Sequence, residues 1–246
     1  MNKIAFSVPT YNEENNISIF LDSILNNFDH SKIIICVVDD QSFDETVKIV
    51  KKYKDRYDFI NIIERIKKSN RTQVYSAYHA GLNFFKNYED VGVYCQIDSD
   101  NMVDIKSIKK SIKILLEDKN IDVVKLSKYH NDSQIDRKFI RKFYSYVYSF
   151  ICKIFYKSDI KDFSTGIRFY NFKAYKFLIN KEKKFASPIG LLDDLLLLID
   201  NKFKIIEVPF ILTDREHGQS FISVKESFLC LIELFKCIII NKFFRR

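Results

Sequence analysis

The chain has 246 residues, a formal net charge of +8, five glycines and three prolines. This length suits one large α/β domain with a sizeable core, and no Ser/Gly-rich or acidic linker and no internal repeat divides it. The positive charge indicates an anionic partner, but composition alone does not identify it. Because no nucleic-acid-binding motif is recognisable, nucleic acid is not the expected partner.

Two features of the sequence predict the cellular compartment. The first apolar run, residues 4–8, is too short for a secretory signal and reads as a strand, so a cytoplasmic protein is expected. The cysteines lie in apolar runs without C-x-x-C spacing, which predicts buried reduced thiols and neither disulfides nor a zinc site. They are Cys36, Cys95, Cys152, Cys230 and Cys237.

In chain order, the hydrophobic pattern alternates between strands and helices. Predicted strands cover residues 4–8, 33–38, 59–63, 91–97 and 121–126, and predicted helices lie near 17–25, 47–53, 74–85 and 105–116. Such alternation is typical of βαβ crossovers, which build a mostly parallel sheet covered by helices on both faces. Ligands of such sheets bind beyond the carboxyl ends of the strands.

Three polar clusters follow predicted strands and should share one edge of the sheet: residues 10–13, 39–40 and 98–100. None contains a G-x-G-x-x-G motif or a P-loop, so a metal and basic side chains would have to neutralise bound phosphates. Asp98 and Asp100 offer oxygen ligands that suit Mg²⁺ or Mn²⁺. An isolated D-x-D is more often a turn or a helix cap, and residues 39–46 also fit a turn capped by Ser42 or Asp44.

The motifs of the three clusters together resemble the family 2 glycosyltransferases, which have the Rossmann-like GT-A fold. The motifs are Val8-Pro9-Thr10-Tyr11-Asn12-Glu13-Glu14, Val38-Asp39-Asp40-Gln41-Ser42-Phe43-Asp44-Glu45-Thr46 and Ile97-Asp98-Ser99-Asp100. The resemblance implies a UDP- or GDP-sugar donor and Mg²⁺ or Mn²⁺ as cofactor. The implied nucleotide-sugar-binding residues are Pro9, Thr10, Tyr11, Glu13, Asp39 and Asp98. The implied metal ligands are Asp98 and Asp100, of which Asp100 is the firmer assignment.

The second half of the chain resembles one branch of this family, the dolichol-phosphate mannose synthases and bactoprenol glucosyltransferases. The shared features are Ser127-Lys128-Tyr129, the basic aromatic stretch near Arg141, residues 161–170 and residues 214–220. Members of this branch transfer a sugar to a polyprenyl phosphate on the cytoplasmic membrane face. The resemblance implies a GT-A domain over residues 1–220, with a nucleotide-sugar half (1–126) and an acceptor half (127–220).

The chain departs from the branch pattern at three positions. Met102 replaces a polar residue, Phe221 replaces a basic residue, and Lys128 replaces an arginine. Lysine keeps the positive charge but loses the bidentate phosphate geometry of arginine. The departures concern the acceptor side of the site more than the chemistry of the donor.

Further site residues are expected in the second half. Arg215 is predicted to contact the donor diphosphate as a catalytic residue, and His217 is a candidate third metal ligand, although a lone loop histidine is more often simply solvated. Lys128, Arg137 and Arg141 are candidate ligands of the acceptor phosphate, weighed against an ordinary solvated basic helix face.

The need for a general base separates two kinds of acceptor. A polyprenyl phosphate is already an anion at neutral pH and needs no base, because its second pKa lies near 6. A saccharide hydroxyl needs a carboxylate within hydrogen-bond reach. Asp194 of the Asp193-Asp194 pair is the predicted base in that case, and the alternative is that both acids merely favour the first turn of a helix.

Residues 221–246 are predicted to form an amphipathic helix, because Glu233 and Lys236 interrupt the apolar run before it reaches the roughly 20 residues of a membrane span. Residues 136–157 and 221–246 mix Lys and Arg with aromatic and aliphatic residues, which favours a membrane surface. The segment 221–246 would lie on that membrane, pack on the domain, or contact a second copy of the chain or a membrane partner.

Three functions remain open at this stage. The first is an inverting, metal-dependent transferase that moves a sugar from UDP- or GDP-sugar to polyprenyl phosphate, peripheral on the inner face of the cell membrane. The second is a transferase that acts on a saccharide hydroxyl in surface-polysaccharide synthesis. The third is a non-enzymatic nucleotide-binding module at the membrane surface.

Overall fold

The computed structural model describes residues 3–66, 74–100, 103–136, 139–185, 187–212 and 224–243, without the side chains of 139–141, 224–228 and 243. The strands within these residues are β1 (Lys3–Thr10), β2 (Ile33–Asp39), β3 (Ile60–Glu64), β4 (Val91–Gln96), β5 (Val123–Leu126), β6 (Gln134–Ile135), β7 (Arg168–Asn171), β8 (Ile205–Val208) and β9 (Ile211–Leu212). The α-helices are α1 (Ile17–Asn27), α2 (Thr46–Lys54), α3 (Val74–Phe84), α4 (Ile105–Glu117), α5 (Phe139–Phe155), α6 (Phe172–Ile179), α7 (Ile189–Asp200) and α8 (Val224–Phe243).

Seven strands form one sheet in the order β3-β2-β1-β4-β7-β5-β8. β7 runs antiparallel to β4 and β5, and the other neighbouring pairs are parallel. The predicted α/β fold with a mostly parallel sheet is therefore confirmed. Because β1, β2 and β4 are adjacent and parallel, the segments that follow them emerge at the same edge of the sheet.

Helices cover both faces of the sheet, since alternate strand residues enter different cores. α1, α2 and α4 pack on one face with residues such as Phe6, Ile35 and Val124. α3 and α6 pack on the opposite face, against Ala5, Cys36 and Tyr94 among others. A third cluster joins α5, α7 and α8 beside this second face.

The boundaries of α7 differ from the prediction. The helix begins at Ile189, whereas the sequence pattern allowed Asp193 and Asp194 to form the first turn of a helix. Asp193 and Asp194 are thus buried inside the helix and do not occupy its first turn. Two acids in an apolar run resemble a helix start, but here they are satisfied by side chains of neighbouring helices and the helix continues through them.

α8 packs one face against the protein and exposes the other. Leu234, Cys237 and Ile238 are buried, whereas Phe235 and Ile239 are about half exposed. Among the described residues, none of the helices combines the length and hydropathy needed to cross a bilayer. All five cysteines are free thiols, and the prediction of burial holds for four of them, because Cys230 is only partly covered near the start of α8.

Candidate active site

The ends of β1 and β2 hold the first two polar clusters side by side. Thr10 and Asp39 are register partners, and the Thr10 hydroxyl lies 3.3 Å from Asp39 Oδ1. Asp39 also accepts hydrogen bonds from Ser42, at 2.5 Å from the hydroxyl and 2.8 Å from the backbone N–H. Ser42 thus fixes the orientation of the Asp39 carboxylate and does not cap α2.

The loops after β1 and β2 hydrogen-bond to each other along their length. The Asn12 N–H donates to Ser42 Oγ at 2.8 Å, and the Phe43 N–H donates to Asn12 Oδ1 at 3.0 Å. The Glu13 N–H donates to Thr46 Oγ1 at 2.8 Å. Asn12 adopts a left-handed backbone with φ of 54°, which asparagine tolerates better than most residues. The two loops therefore form one polar surface.

Tyr11 and Glu13 occupy different environments on this surface. The Tyr11 ring packs edge-on against Phe43 with centroids 6.2 Å apart, and Phe43 is 83% exposed. Glu13 is buried and accepts a hydrogen bond from Asn16 Nδ2 at 2.6 Å. The exposed Phe43 ring and the partly buried Tyr11 ring offer a stacking surface for a planar ligand, whereas Glu13 holds the loop at the start of α1.

The acidic turn after β4 is tied to β1 and α3. Ser99 Oγ donates to the Pro9 carbonyl at 3.0 Å, and Tyr78 of α3 donates to Asp98 Oδ1 at 2.5 Å. Burial raises the pKa of Tyr78 well above its usual value, and the charges of Asp98 and Asp100 raise it further. Tyr78 therefore stays protonated and serves as a hydrogen-bond donor. Asp98 is half-buried and Asp100 is buried.

An ion pair at the same edge was not anticipated from the sequence. Arg65, which follows β3, lies 3.0 Å from Asp40 Oδ1 and donates to Ser76 Oγ at 2.6 Å. Its backbone N–H donates to the Asp39 carbonyl at 2.8 Å. A basic residue after a strand and an acid 25 positions earlier give no local signal of pairing, so only the sheet topology brings them together.

Lys128 lies in the acceptor half, in a separate polar cluster. Its Nζ donates to Ser164 Oγ at 2.8 Å and to Ser145 Oγ of α5 at 3.3 Å, and its N–H donates to buried Asp162 at 2.9 Å. Burial alone would raise the pKa of Asp162, but Lys125, Lys128 and hydrogen bonds hold it well below its usual value. Asp162 is therefore a carboxylate that anchors the segment containing Ser164.

The two acids of α7 bond to different helices. Asp194 accepts from Tyr75 at 3.0 Å, and its Oδ2 lies 3.0 Å from Nε2 of His79, both on α3. Asp193 accepts from Asn241 of α8 at 2.7 Å. Burial raises the pKa of Tyr75 far above its usual value, with the Asp194 charge adding to the rise, so Tyr75 is a donor here.

Several predicted site residues fall outside this geometry. Arg137, Arg215 and His217 lie outside the described residues, as does Met102. Arg141 belongs to α5, but its side chain is not described. These assignments stay predictions.

The residues beyond β4 fit a divalent cation in chemical type. Asp98 and Asp100 provide hard carboxylate oxygens at the strand end, the donor set that Mg²⁺ or Mn²⁺ accepts together with substrate phosphates. Within the described ranges, no group of three or more His, Cys, Asp or Glu side chains forms a metal cluster. The described residues therefore fit a site in which two protein carboxylates, those of Asp98 and Asp100, hold the cation and a ligand completes its coordination.

Comparison with solved structures identifies the same fold in two proteins solved with UDP or UDP-GlcNAc. Glucosyl-3-phosphoglycerate synthase from Mycobacterium tuberculosis, in complex with Mn²⁺, UDP and glucosyl-3-phosphoglycerate, superposes with a TM-score of 0.69 at 15% identity, over 98% of this chain and 80% of that one. S. aureus TarS 1-349 in complex with UDP-GlcNAc superposes with a TM-score of 0.61 at 17% identity, over 96% of this chain and 66% of that one.

Two curated relatives share sequence with the chain. A dolichol-phosphate mannosyltransferase of Pyrococcus furiosus is 26% identical over 238 residues, which is 95% of this chain and 63% of that protein. A poly(ribitol-phosphate) beta-glucosyltransferase of Bacillus spizizenii is 42% identical over 65 residues, 26% of this chain and 10% of that protein. The chain thus spans under two thirds of the length of either relative.

The family itself follows from a match that covers most of the chain. The model of glycosyl transferase family 2 matches residues 6–179, a segment that contains the three clusters at the sheet edge and continues through α6. The chain belongs to glycosyl transferase family 2.

Proposed function

We propose that the protein is a metal-dependent, inverting glycosyltransferase that moves a sugar from a UDP- or GDP-sugar to a polyprenyl phosphate at a membrane surface. The observation that carries the proposal is the convergence of Thr10, Asp39 and the Asp98–Asp100 turn at one edge of the sheet. The solved relatives that contain UDP, Mn²⁺ or UDP-GlcNAc support a nucleotide-sugar donor and a divalent metal.

In the proposed donor site, the loops after β1 and β2 bind the nucleoside and the turn after β4 binds the cation. Asp39, oriented by Ser42, accepts hydrogen bonds from the nucleoside, and the Tyr11–Phe43 pair packs against its planar base. Asp98 and Asp100 hold the cation, with Asp98 positioned by the Tyr78 hydroxyl. When bound, the cation supplies Lewis-acid stabilisation of the departing diphosphate. Arg215, which lies outside the described residues, stays the candidate for binding the same diphosphate, as an arginine suits such a group.

The environment of Asp194 supports a phosphate acceptor over a hydroxyl acceptor. Each carboxylate oxygen of Asp194 already has a partner from α3, and the side chain is only 4% exposed. A general base must reach the proton that it abstracts, and a buried carboxylate bonded on both sides is poorly placed for that task. A polyprenyl phosphate attacks as an anion without such a base.

The surface of α5 and α8 supports peripheral membrane attachment. Phe143, Tyr146, Phe150 and Ile154 are each more than half exposed and recur along one side of α5. α8 packs on α5 and adds Phe235 among its exposed residues. Exposed aromatic and aliphatic side chains with interspersed lysines suit the interface of an anionic bilayer. The dolichol-phosphate mannosyltransferase relative supports a lipid-linked acceptor.

A transferase that acts on a hydroxyl is the second candidate, because the Bacillus relative is a poly(ribitol-phosphate) beta-glucosyltransferase. Purified protein incubated with Mn²⁺, each sugar nucleotide and either undecaprenyl phosphate or a saccharide separates the two. We expect transfer to the lipid phosphate, with activity largely kept in Asp194→Asn and in the adjacent control Asp193→Asn. Transfer to the saccharide that Asp194→Asn abolishes and Asp193→Asn preserves would contradict the proposal. Donor binding without any transfer would instead support the non-enzymatic module.

A further inference from the structure

A row of polar side chains crosses the sheet beneath the helices of its second face. Register pairs link Ser7 to Gln96, Gln96 to Arg168, Arg168 to Lys125, and Lys125 to Glu207 across five strands. Register partners in adjacent strands point to the same face, so these side chains lie in one line. All are buried except Glu207, whose side chain is 9% exposed.

Arg168 differs from the rest of this row in its partners. Ser7 donates to the Tyr78 carbonyl, Gln96 donates to the Gly166 carbonyl, and Lys125 donates to the Leu126 carbonyl. Arg168 is 0% exposed, and no carboxylate among the described residues forms an ion pair with it. Its guanidinium lies beside the uncharged Tyr170 hydroxyl, but Nε, Nη1 and Nη2 form no well-aligned hydrogen bond. Within the described part of the chain this buried charge lacks an ion-pair partner, an arrangement that an anionic ligand would complete.

The charges near Arg168 leave a positive excess. Lys125 and Lys128 accompany it, whereas the carboxylates of the cluster are Asp162 and Glu207. Both carboxylates face the lysines of the cluster: Glu207 Oε1 lies 4.0 Å from Lys125 Nζ, and Lys125 and Lys128 lower the pKa of Asp162. Both also accept hydrogen bonds from backbone N–H groups, Asp162 from Lys128 and Ser164 and Glu207 from residues 161 and 162. Burial lowers the pKa of Lys125 to about 8, opposed by Asp162 and Glu207 and assisted by Arg168 and Lys128. The cluster therefore favours an anion.

The position of Arg168 points to a substrate phosphate. β7 is antiparallel and begins at Arg168, so this residue lies at the edge where β4 and β5 end. Asp98 comes two residues after its register partner Gln96, a backbone distance of about 7 Å. Gly166, two residues before Arg168, is half-buried, so solvent reaches the segment next to Arg168 at this edge.

The strand order separates acceptor from donor. The loops after β1 and β2, proposed to bind the nucleoside, lie on one side of β4, and Arg168 lies on the other side. Resting on the proposed function, we propose that Arg168 binds the phosphate group of the acceptor. An arginine suits this role because its planar guanidinium contacts two phosphate oxygens at once.

Arg168→Met and Arg168→Lys test this assignment, with exposed Lys110→Met of α4 as the control. Without ligand, Arg168→Met should be at least as stable to urea as the wild type, because it removes a buried charge that has no ion-pair partner in the described part of the chain. UDP with Mn²⁺ should raise the Tm of all four proteins equally. Undecaprenyl phosphate and inorganic phosphate should each raise the Tm of the wild type and of Lys110→Met. The same ligands should raise the Tm of Arg168→Lys only weakly and should leave the Tm of Arg168→Met unchanged. Undecaprenol should raise none.

In transfer assays, Arg168→Met should raise the KM for undecaprenyl phosphate about 10- to 100-fold, the loss expected for a charged hydrogen bond. Three results would overturn the assignment: destabilised Arg168→Met, phosphate-dependent stabilisation that survives in Arg168→Met, or a selective loss of UDP binding. If the wild type transfers no sugar to the lipid while phosphate stabilisation still depends on Arg168, the proposed function fails and the phosphate site stands.

Discussion

Asp162→Asn removes the carboxylate that organises the acceptor half. Asp162 Oδ1 accepts from the Ser164 N–H at 2.8 Å and the Ser164 hydroxyl at 2.7 Å, and Oδ2 accepts from the Lys128 N–H at 2.9 Å. An asparagine NH₂ group cannot accept, so one side of this set loses its bonds, and buried Lys125 loses a compensating charge. Breaking a buried charge pair typically costs about 3–5 kcal/mol, which is the expected loss in the free energy of unfolding.

Urea denaturation at pH 7 measures this loss, with Asp118→Asn as the control. Asp118 is an exposed acid that accepts from the Asn120 N–H at 2.9 Å, and its substitution should change the free energy of unfolding by no more than about 0.5 kcal/mol. Because the folded pKa of Asp162 is lowered, its stabilisation is present above the unfolded value of 3.8 and should shrink as the pH falls below it. A loss under about 1 kcal/mol in Asp162→Asn, with an unchanged urea dependence, would refute this reasoning.

Three further substitutions test other contacts. Gly190→Ala places a Cβ 2.2 Å from Tyr75 Cδ1, so it should destabilise the protein by about 1–3 kcal/mol, and an unchanged Tm would contradict that packing. The folded pKa of Lys125 is about 8, against 10.5 in the unfolded chain, so the unfolded state binds more protons between these pH values. As the pH rises from 8 to 10.5, the free energy of unfolding of the wild type should therefore rise by about 3 kcal/mol relative to that of Lys125→Met. A difference that does not change with pH would argue against a buried charge. Tyr78→Phe removes the donor to Asp98 and should weaken UDP binding with Mn²⁺ about fivefold in calorimetry, whereas unaltered affinity would remove Tyr78 from the site.

The sequence pattern was sufficient for the architecture of the first half. Strand and helix periodicity located β1 to β5 and α1 to α4 to within a few residues, because each element presents an apolar face to a core. Thr10, Asp39 and Asp98 were expected at one edge because parallel strands deliver their carboxyl ends together. The structure brings these clusters into contact through Ser42 and Ser99.

The second half was less predictable because its polar contacts join distant positions. Asp194 meets Tyr75 and His79 across 119 and 115 residues, and no local spacing signals such a contact. Asp193 and Asp194 also fit the first turn of a helix by type, whereas α7 begins at Ile189 and tertiary hydrogen bonds allow the helix to run through both acids. The burial of Arg168 without an ion-pair partner among the described residues is a property of the assembled sheet and has no local signal in the sequence.

Sugar transfer by Asp100→Ala tests the central claim most directly, namely that the turn after β4 binds the metal of a sugar-nucleotide site. The assay uses Mn²⁺, a UDP- or GDP-sugar and undecaprenyl phosphate, with the exposed acid variant Asp118→Ala as the control. We predict a loss of at least about 100-fold in kcat/KM for Asp100→Ala, corresponding to about 2.7 kcal/mol of transition-state stabilisation, and near wild-type activity for the control. Wild-type transfer by Asp100→Ala would contradict the account.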